Sequence, residues 1–184
     1  YEVPIMMFKE KLDEVVLDYF NLPQDTTPDL DKWREFLSRL QYPKRTVEIG
    51  LIGKYVELKD SYKSISEAFI HAGAANEVEV KVRWIHSEHL TPKNAAELCK
   101  GLDGVLVAPG FGERGFEGKV ATVQYARENK IPYFGICYGM QAAVIEYARN
   151  VLGWNDANTT EVNPKTEKPV IALMDEQMHI TDMG

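Results

Sequence analysis

The residues Gly135-Ile136-Cys137-Tyr138-Gly139 carry the sharpest chemical signal in the chain. A thiol stands between two glycines, in a G-x-C-x-G pattern that follows an apolar run and precedes a helical one. This is the nucleophile-elbow arrangement with sulfur in place of oxygen. A nucleophile held on a tight, strained turn needs small neighbours, and Gly135 and Gly139 supply them. The turn lifts the thiol to the carboxyl edge of a sheet, where clefts form in α/β folds. The helix that follows sets its positive end beside the sulfur and favours the thiolate. The Tyr138 N–H is then placed to meet a developing oxyanion. The plainer reading of the same residues is a buried structural cysteine between turn glycines. Cys99, inside Ala95–Lys100, has no comparable setting and reads as packing.

A second loop has the composition to approach a ligand. Pro109-Gly110-Phe111-Gly112-Glu113-Arg114-Gly115-Phe116-Glu117-Gly118 holds four glycines within nine residues, Gly110 to Gly118. It fails the phosphate-loop pattern, because Gly118-Lys119 is followed by valine and the first glycine is misplaced. It fails the dinucleotide fingerprint as well. Lying one strand before the cysteine elbow, it suits the second half of an oxyanion hole, with a flexible connection as the alternative.

The elements that must position these loops are legible as strands alternating with helices. Val47–Ile52 is a short apolar run closed by Gly53. Ser61–Ala72 is helical, with Ile65, Ala68, Phe69 and Ala72 on one side, and Val78–Ile85 alternates as a half-buried strand. Thr91-Pro92 predicts a helix start with threonine as N-cap. Leu102–Ala108 and Ile131–Ile136 are strands, Gly118–Asn129 and Met140–Val151 helices, and Val170–Met174 a last strand. Strands separated by helices imply crossovers and a mostly parallel sheet covered on both faces. Residues 1–44 differ. Lys9–Phe20 has helical apolar spacing, Leu22–Asp29 is a break rich in Pro, Thr and Asp, and Asp29 or Asp31 caps a second helix that Pro43 ends.

Composition narrows the function. The net charge of −7 repels phosphate backbones and argues against a nucleic-acid partner. No apolar run approaches the roughly 20 residues that span a bilayer, so no membrane partner is expected. Two cysteines are too few for a disulfide framework, and their spacing fits no metal motif, so no metal is expected in this segment. A reducing, cytoplasmic setting is the simplest reading. Tyr1-Glu2-Val3-Pro4 reads as an internal cut rather than a natural start.

Taken together, the cysteine elbow with Met140-Gln141, the Gly110-to-Gly115 loop, Ile52-Gly53-Lys54-Tyr55-Val56-Glu57 and Ser61-Tyr62-Lys63-Ser64 resemble the CTP synthases. The resemblance is to their glutamine amidotransferase domain, of the class I triad type. It implies an α/β, flavodoxin-like three-layer fold over residues 45–184, with residues 1–44 as the end of a synthase (amidoligase) domain and a helical linker. It implies that Cys137 attacks the L-glutamine side-chain amide and forms a thioester, with Gly110 and Tyr138 as oxyanion N–H donors. Gly110, Gln141 and Glu161 then contact the glutamine. The full-length enzyme of this kind is a cytoplasmic homotetrameric ligase that uses ATP and Mg²⁺ to aminate UTP to CTP. GTP activates it, with Tyr55, Lys63, Arg114 and Gly115 as the corresponding residues here.

The sequence departs from that pattern in two respects. Pro109 replaces the first glycine of the usual Pro-Gly-Gly-Phe-Gly loop and brings no N–H. Gly184 stands 47 positions after Cys137, ahead of where the family's catalytic His and Glu fall. His71, His86, His89 and His179 lie in no context resembling that base. The resemblance therefore predicts a fold lacking its last strands, and a 184-residue polypeptide that alone is a poor glutaminase with exposed apolar surface. Two rival readings are a glutaminase domain serving another acceptor, as in GMP or carbamoyl phosphate synthesis, and an inactive domain that only binds or regulates.

Overall fold

The computed structural model describes residues 1–25 and 27–174. The chain divides into two compact units, one of Tyr1–Thr46 with Glu67–Val80 and one of Val47–Ser66 with Lys81–Gly184.

The first unit is helical. Helices α1 (Val3–Lys9), α2 (Leu12–Tyr19) and α3 (Asp31–Gln41) contain no buried residue. The single helix expected over Lys9–Phe20 is cut, because Lys11 takes a left-handed φ of 58° between α1 and α2. Pro4 sits in the first turn of α1, where its missing N–H costs nothing. Asp29 does not cap α3 as an N-cap residue, since Leu30 holds that position. Its Oδ1 instead accepts the Asp31 N–H at 3.0 Å, a local side-chain turn. Trp33 stacks on Phe36 with centroids 5.1 Å apart, and Phe36 stacks on the His71 ring at 5.3 Å. His71 is thus part of an aromatic cluster, in keeping with its exclusion as a base.

The second unit carries the α/β architecture. Its strands are β1 (Arg45–Gly53), β2 (Val78–His86), β3 (Gly104–Val107) and β4 (Tyr133–Gly135), in the order β2-β1-β3-β4. β3 pairs parallel with both β1 and β4. Helix α4 (Lys63–Ala75), which belongs to the first unit from Glu67 onward, follows a 3₁₀ turn at Lys59–Tyr62, and its buried residues are Gly73 and Ala74. Ala68 and Ala72, expected to face inward, are exposed. The helix expected from Thr91 starts later, as α5 (Ala95–Leu98). Asn94 Oδ1 accepts both the Thr91 N–H and its hydroxyl, which turns 92–94 into a loop and moves the start to Ala95. Helices α6 (Phe116–Glu128) and α7 (Tyr138–Asn150) each begin two residues earlier than the apolar spacing indicated.

Two apolar clusters hold this unit. One joins Ile52, Ile85, Leu90, Cys99, Val105, Val107 and Ala126. The other joins Phe116, Val120 and Val123 of α6 to Tyr138, Ala142 and Ile145 of α7. Cys99 is fully buried in the first cluster, and burial pushes its thiol pKa up, as befits packing rather than chemistry. A separate two-stranded sheet pairs β5 (Ala157–Thr159) with β6 (Lys168–Ile171) in parallel. The strand expected at Val170–Met174 lies earlier because it pairs with β5, a strand concealed by the weak strand preference of Ala157 and Asn158.

Candidate active site

The register of the sheet brings the loops together. Ile52 is level with Val107, and Val107 with Gly135. The segments that leave β1, β3 and β4 therefore emerge side by side at the carboxyl edge. In a sheet of this order, the strand sequence reverses between β1 and β3, the switch point at which open α/β sheets bind ligands.

Cys137 lies at the head of α7 with φ 53° and ψ −104°, a backbone conformation disfavoured for a side-chain-bearing residue. It is exposed. The turn exists because its neighbours are glycines. A Cβ on Gly135 would fall 2.5 Å from the Gly139 carbonyl carbon, and one on Gly139 would fall 2.3 Å from the Val107 carbonyl oxygen. The turn is pinned by the Ile136 N–H to Val107 O at 3.0 Å and by the Gly139 N–H to Ile136 O at 2.9 Å. The Tyr133 hydroxyl donates to Gly139 O at 2.7 Å.

The glycine loop after β3 packs against α7. The Tyr138 hydroxyl donates to Gly112 O at 2.7 Å, and the Gly112 N–H donates to Glu161 Oε1 at 2.6 Å. Burial raises the Tyr138 phenol pKa, with Glu161, Glu117 and Glu113 adding to the shift, so it stays a donor. Among the described residues, the N–H groups of Gly110 and Tyr138 have no partner. The Gln141 N–H bonds Cys137 O at 3.1 Å, while its side-chain Oε1 is buried without a partner among the described residues.

Two lysines sit behind the loop. Lys119, on α6 and fully buried, donates from Nζ to Ala108 O at 2.7 Å and approaches Pro109 O at 3.4 Å. Lys54, just past β1, donates from Nζ to Phe111 O. Burial lowers the Lys119 pKa to about 8, helped by the charge of Lys54 and opposed by Cys137. Sequence reasoning missed Lys119. Its only signal was a lysine among the apolar residues of a buried helix, and Gly118-Lys119 served there solely to reject a phosphate loop.

The structure thus gathers Cys137, Gly110, Tyr138, Gln141 and Glu161 from three separate segments. It also joins two residues of the second predicted group. The Arg114 guanidinium lies 5.6 Å from the Tyr55 ring centroid and pairs with Glu88 at 3.1 Å. Gly115 has a φ of 72°, and a Cβ there would meet Ser87 Oγ at 2.3 Å. Lys63, the first residue of α4, is exposed. His86 and His89 stack on each other at 4.7 Å. His179 lies outside the described residues.

Comparison with known proteins gives a consistent picture. The family model described as glutamine amidotransferase class-I matches residues 57–182. The chain is similar along its whole length to the CTP synthases of Flavobacterium johnsoniae, at 62% identity, and Cytophaga hutchinsonii, at 59%. It spans 34% of the length of each. Among solved structures, the glutaminase domain of Trypanosoma brucei CTPS with bound acivicin superposes with a TM-score of 0.66 at 44% identity, over 71% of this chain and 51% of that one.

Proposed function

We propose, from the premise that this chain belongs to the class-I glutamine amidotransferase family, that within the intact polypeptide it supplies the nucleophile that hydrolyses the side-chain amide of glutamine and so releases ammonia. The observation that carries the reading is Cys137, held at φ 53° at the head of α7 beside a loop whose Gly110 N–H is unpartnered among the described residues. The thiolate attacks the amide carbon, and negative charge moves to the carbonyl oxygen, where the Gly110 and Tyr138 N–H groups stabilise it. The C–N bond breaks, ammonia leaves with a proton from a general acid, and a glutamyl thioester remains. Water then cleaves the thioester to glutamate and restores the thiol. Glu161 has one carboxylate oxygen engaged by Gly112, which leaves the other for the α-ammonium of glutamine. Gln141, one turn after Cys137 on α7, is the third residue assigned to the glutamine.

The relatives are CTP synthases, so the ammonia is assigned to the amination of UTP to CTP, in a whole protein that uses ATP and Mg²⁺ and assembles as a homotetramer in the cytoplasm. In that protein residues 1–44 are the end of the synthase part and its linker, and residues 45–184 belong to the amidotransferase domain. GTP activation falls to Tyr55, Lys63, Arg114 and Gly115, of which Tyr55 and Arg114 are in contact. No helix among the described residues is long and apolar enough to cross a membrane.

The test is covalent trapping in the intact polypeptide that carries this chain. Acivicin, the glutamine analogue seen on the related glutaminase domain, is expected to add once, at Cys137, and glutamine in excess to protect against it. Cys137→Ala should take no adduct and lose at least about 10³-fold in glutamine hydrolysis. An adduct elsewhere, or turnover that survives the substitution, refutes the assignment.

A further inference from the structure

The oxyanion loop is held from behind by two ammonium groups, and this determines which way its peptides face. Every peptide here is trans. In a trans peptide the C=O and the following N–H point in opposite directions. The Pro109 carbonyl turns toward Lys119 Nζ, at 3.4 Å, so the Gly110 N–H turns away from it. The Phe111 carbonyl turns toward Lys54 Nζ, so the Gly112 N–H turns away, and there it meets Glu161. The Ala108 carbonyl, at 2.7 Å, is the shorter contact of Lys119. A Cβ built on Gly110 would lie 3.4 Å from Lys119 Nζ and 3.8 Å from Lys54 Cε, so the two lysines bound the space beside that glycine.

A fully buried ammonium is costly unless it is hydrogen-bonded, and a neighbouring like charge adds to the cost. Apolar packing alone would be served better by methionine. What the lysine adds is a directed donor pair on consecutive carbonyls. Pro109 gives that donor pair a purpose. With no N–H at Pro109, the loop has Gly110 as its donor, and the direction of one peptide decides whether the oxyanion is met.

We infer that Lys119, with Lys54 beside it, is the positioning residue of the oxyanion loop, holding the Ala108, Pro109 and Phe111 carbonyls inward so that the Gly110 N–H faces the reacting carbonyl at Cys137. The inference rests on the glutaminase reading above. It separates two reactions of the same thiol. Acyl transfer from glutamine generates an oxyanion. Alkylation by iodoacetamide displaces iodide at a saturated carbon and generates none.

The experiment compares the unsubstituted protein, as the intact polypeptide that carries this chain, with Lys119→Met and Lys54→Met. For Lys119→Met we expect kcat for glutamine hydrolysis to fall about 10²-fold, as when one oxyanion donor is misdirected. KM should stay within about threefold, and Cys137 alkylation should fall only by the few-fold that losing a nearby cation costs the thiolate, far less than kcat. Lys54→Met, which removes the hold on Phe111 alone, should lose about tenfold in kcat, again with a much smaller change in alkylation. If Lys119→Met does not fold, Lys54→Met carries all three readouts. A kcat near that of the unsubstituted protein, or alkylation falling in step with kcat, overturns the inference while leaving the glutaminase reading intact. A lack of glutamine hydrolysis in the unsubstituted protein overturns that reading itself.

Discussion

Helix α3, near the start of the chain, and helices α6 and α7, behind the cysteine elbow, are comparable in length at 11 against 13 residues but held by different means. α3 has no buried residue, and its ion pairs, Arg34–Asp31 and Arg39–Glu35, are exposed on both sides. α6 buries eight residues, among them a lysine and a threonine, and α7 buries six, among them a glutamate. The Glu146 carboxylate is 1% exposed and is met by Arg127 at 2.8 Å and by Asn150 at 3.1 Å. Helices that must hold the cysteine elbow and the glycine loop in register are fixed by close backbone approach and satisfied buried charge. Helices without that duty rest on exposed contacts, each worth little.

The largest expected effect tests the backbone approach. Gly139→Ala would place a Cβ 2.3 Å from Val107 O, so unfolding measurements should show a loss of about 3 kcal/mol. Gly153→Ala, at φ 72° with nothing within 4 Å, should lose about 1 kcal/mol from the left-handed backbone alone. Equal losses would mean that the elbow is not packed as tightly as its contacts indicate.

Next comes the buried charge. Arg127→Met strands the Glu146 carboxylate and should cost about 2 kcal/mol, less than a fully enclosed pair because Arg127 is 35% exposed. Arg39→Met, at the exposed pair on α3, should change stability by no more than about 0.5 kcal/mol. If the two substitutions cost the same, the contrast between the regions fails.

The smallest effect is a pH dependence. Folded Lys119 titrates near about 8, against an ordinary 10.5. Between those values the unfolded chain holds a proton that the folded chain has shed, so stability rises with pH across that window. The penalty for burying the ammonium is complete below it. The charged and titratable groups facing Lys119 are Lys54 after β1 and Cys137 and Tyr138 at the head of α7. The stability difference between the unsubstituted protein and Lys119→Met should be flat below pH 8 and should shift toward the unsubstituted protein from there to pH 10.5. A flat difference throughout would mean that Lys119 is not a buried cation.

Much of the site was legible because its signals are local. G-x-C-x-G names an elbow, since a strained turn excludes neighbouring side chains, and the helix after it follows from apolar spacing. The alternation of strands and helices gave the α/β class for the same reason: hydrophobic period is a property of neighbouring residues. Boundaries were less legible. Thr91 looked like a cap until Asn94, three residues on, took its N–H and hydroxyl. β5 was invisible because Ala157-Asn158-Thr159 has weak strand preference and is a strand only through pairing with β6.

The sequence by itself determined the cysteine elbow, its turn and the kind of sheet that carries it, because each depends on residues within one or two turns of each other. Only the tertiary structure decided that Glu161 closes on Gly112, that Tyr138 reaches the glycine loop, and that Lys54 and Lys119 grip it from behind. Those contacts join segments far apart in the chain. No local pattern specifies them, and they exist only because the register of β1, β3 and β4 brings their loops to one edge.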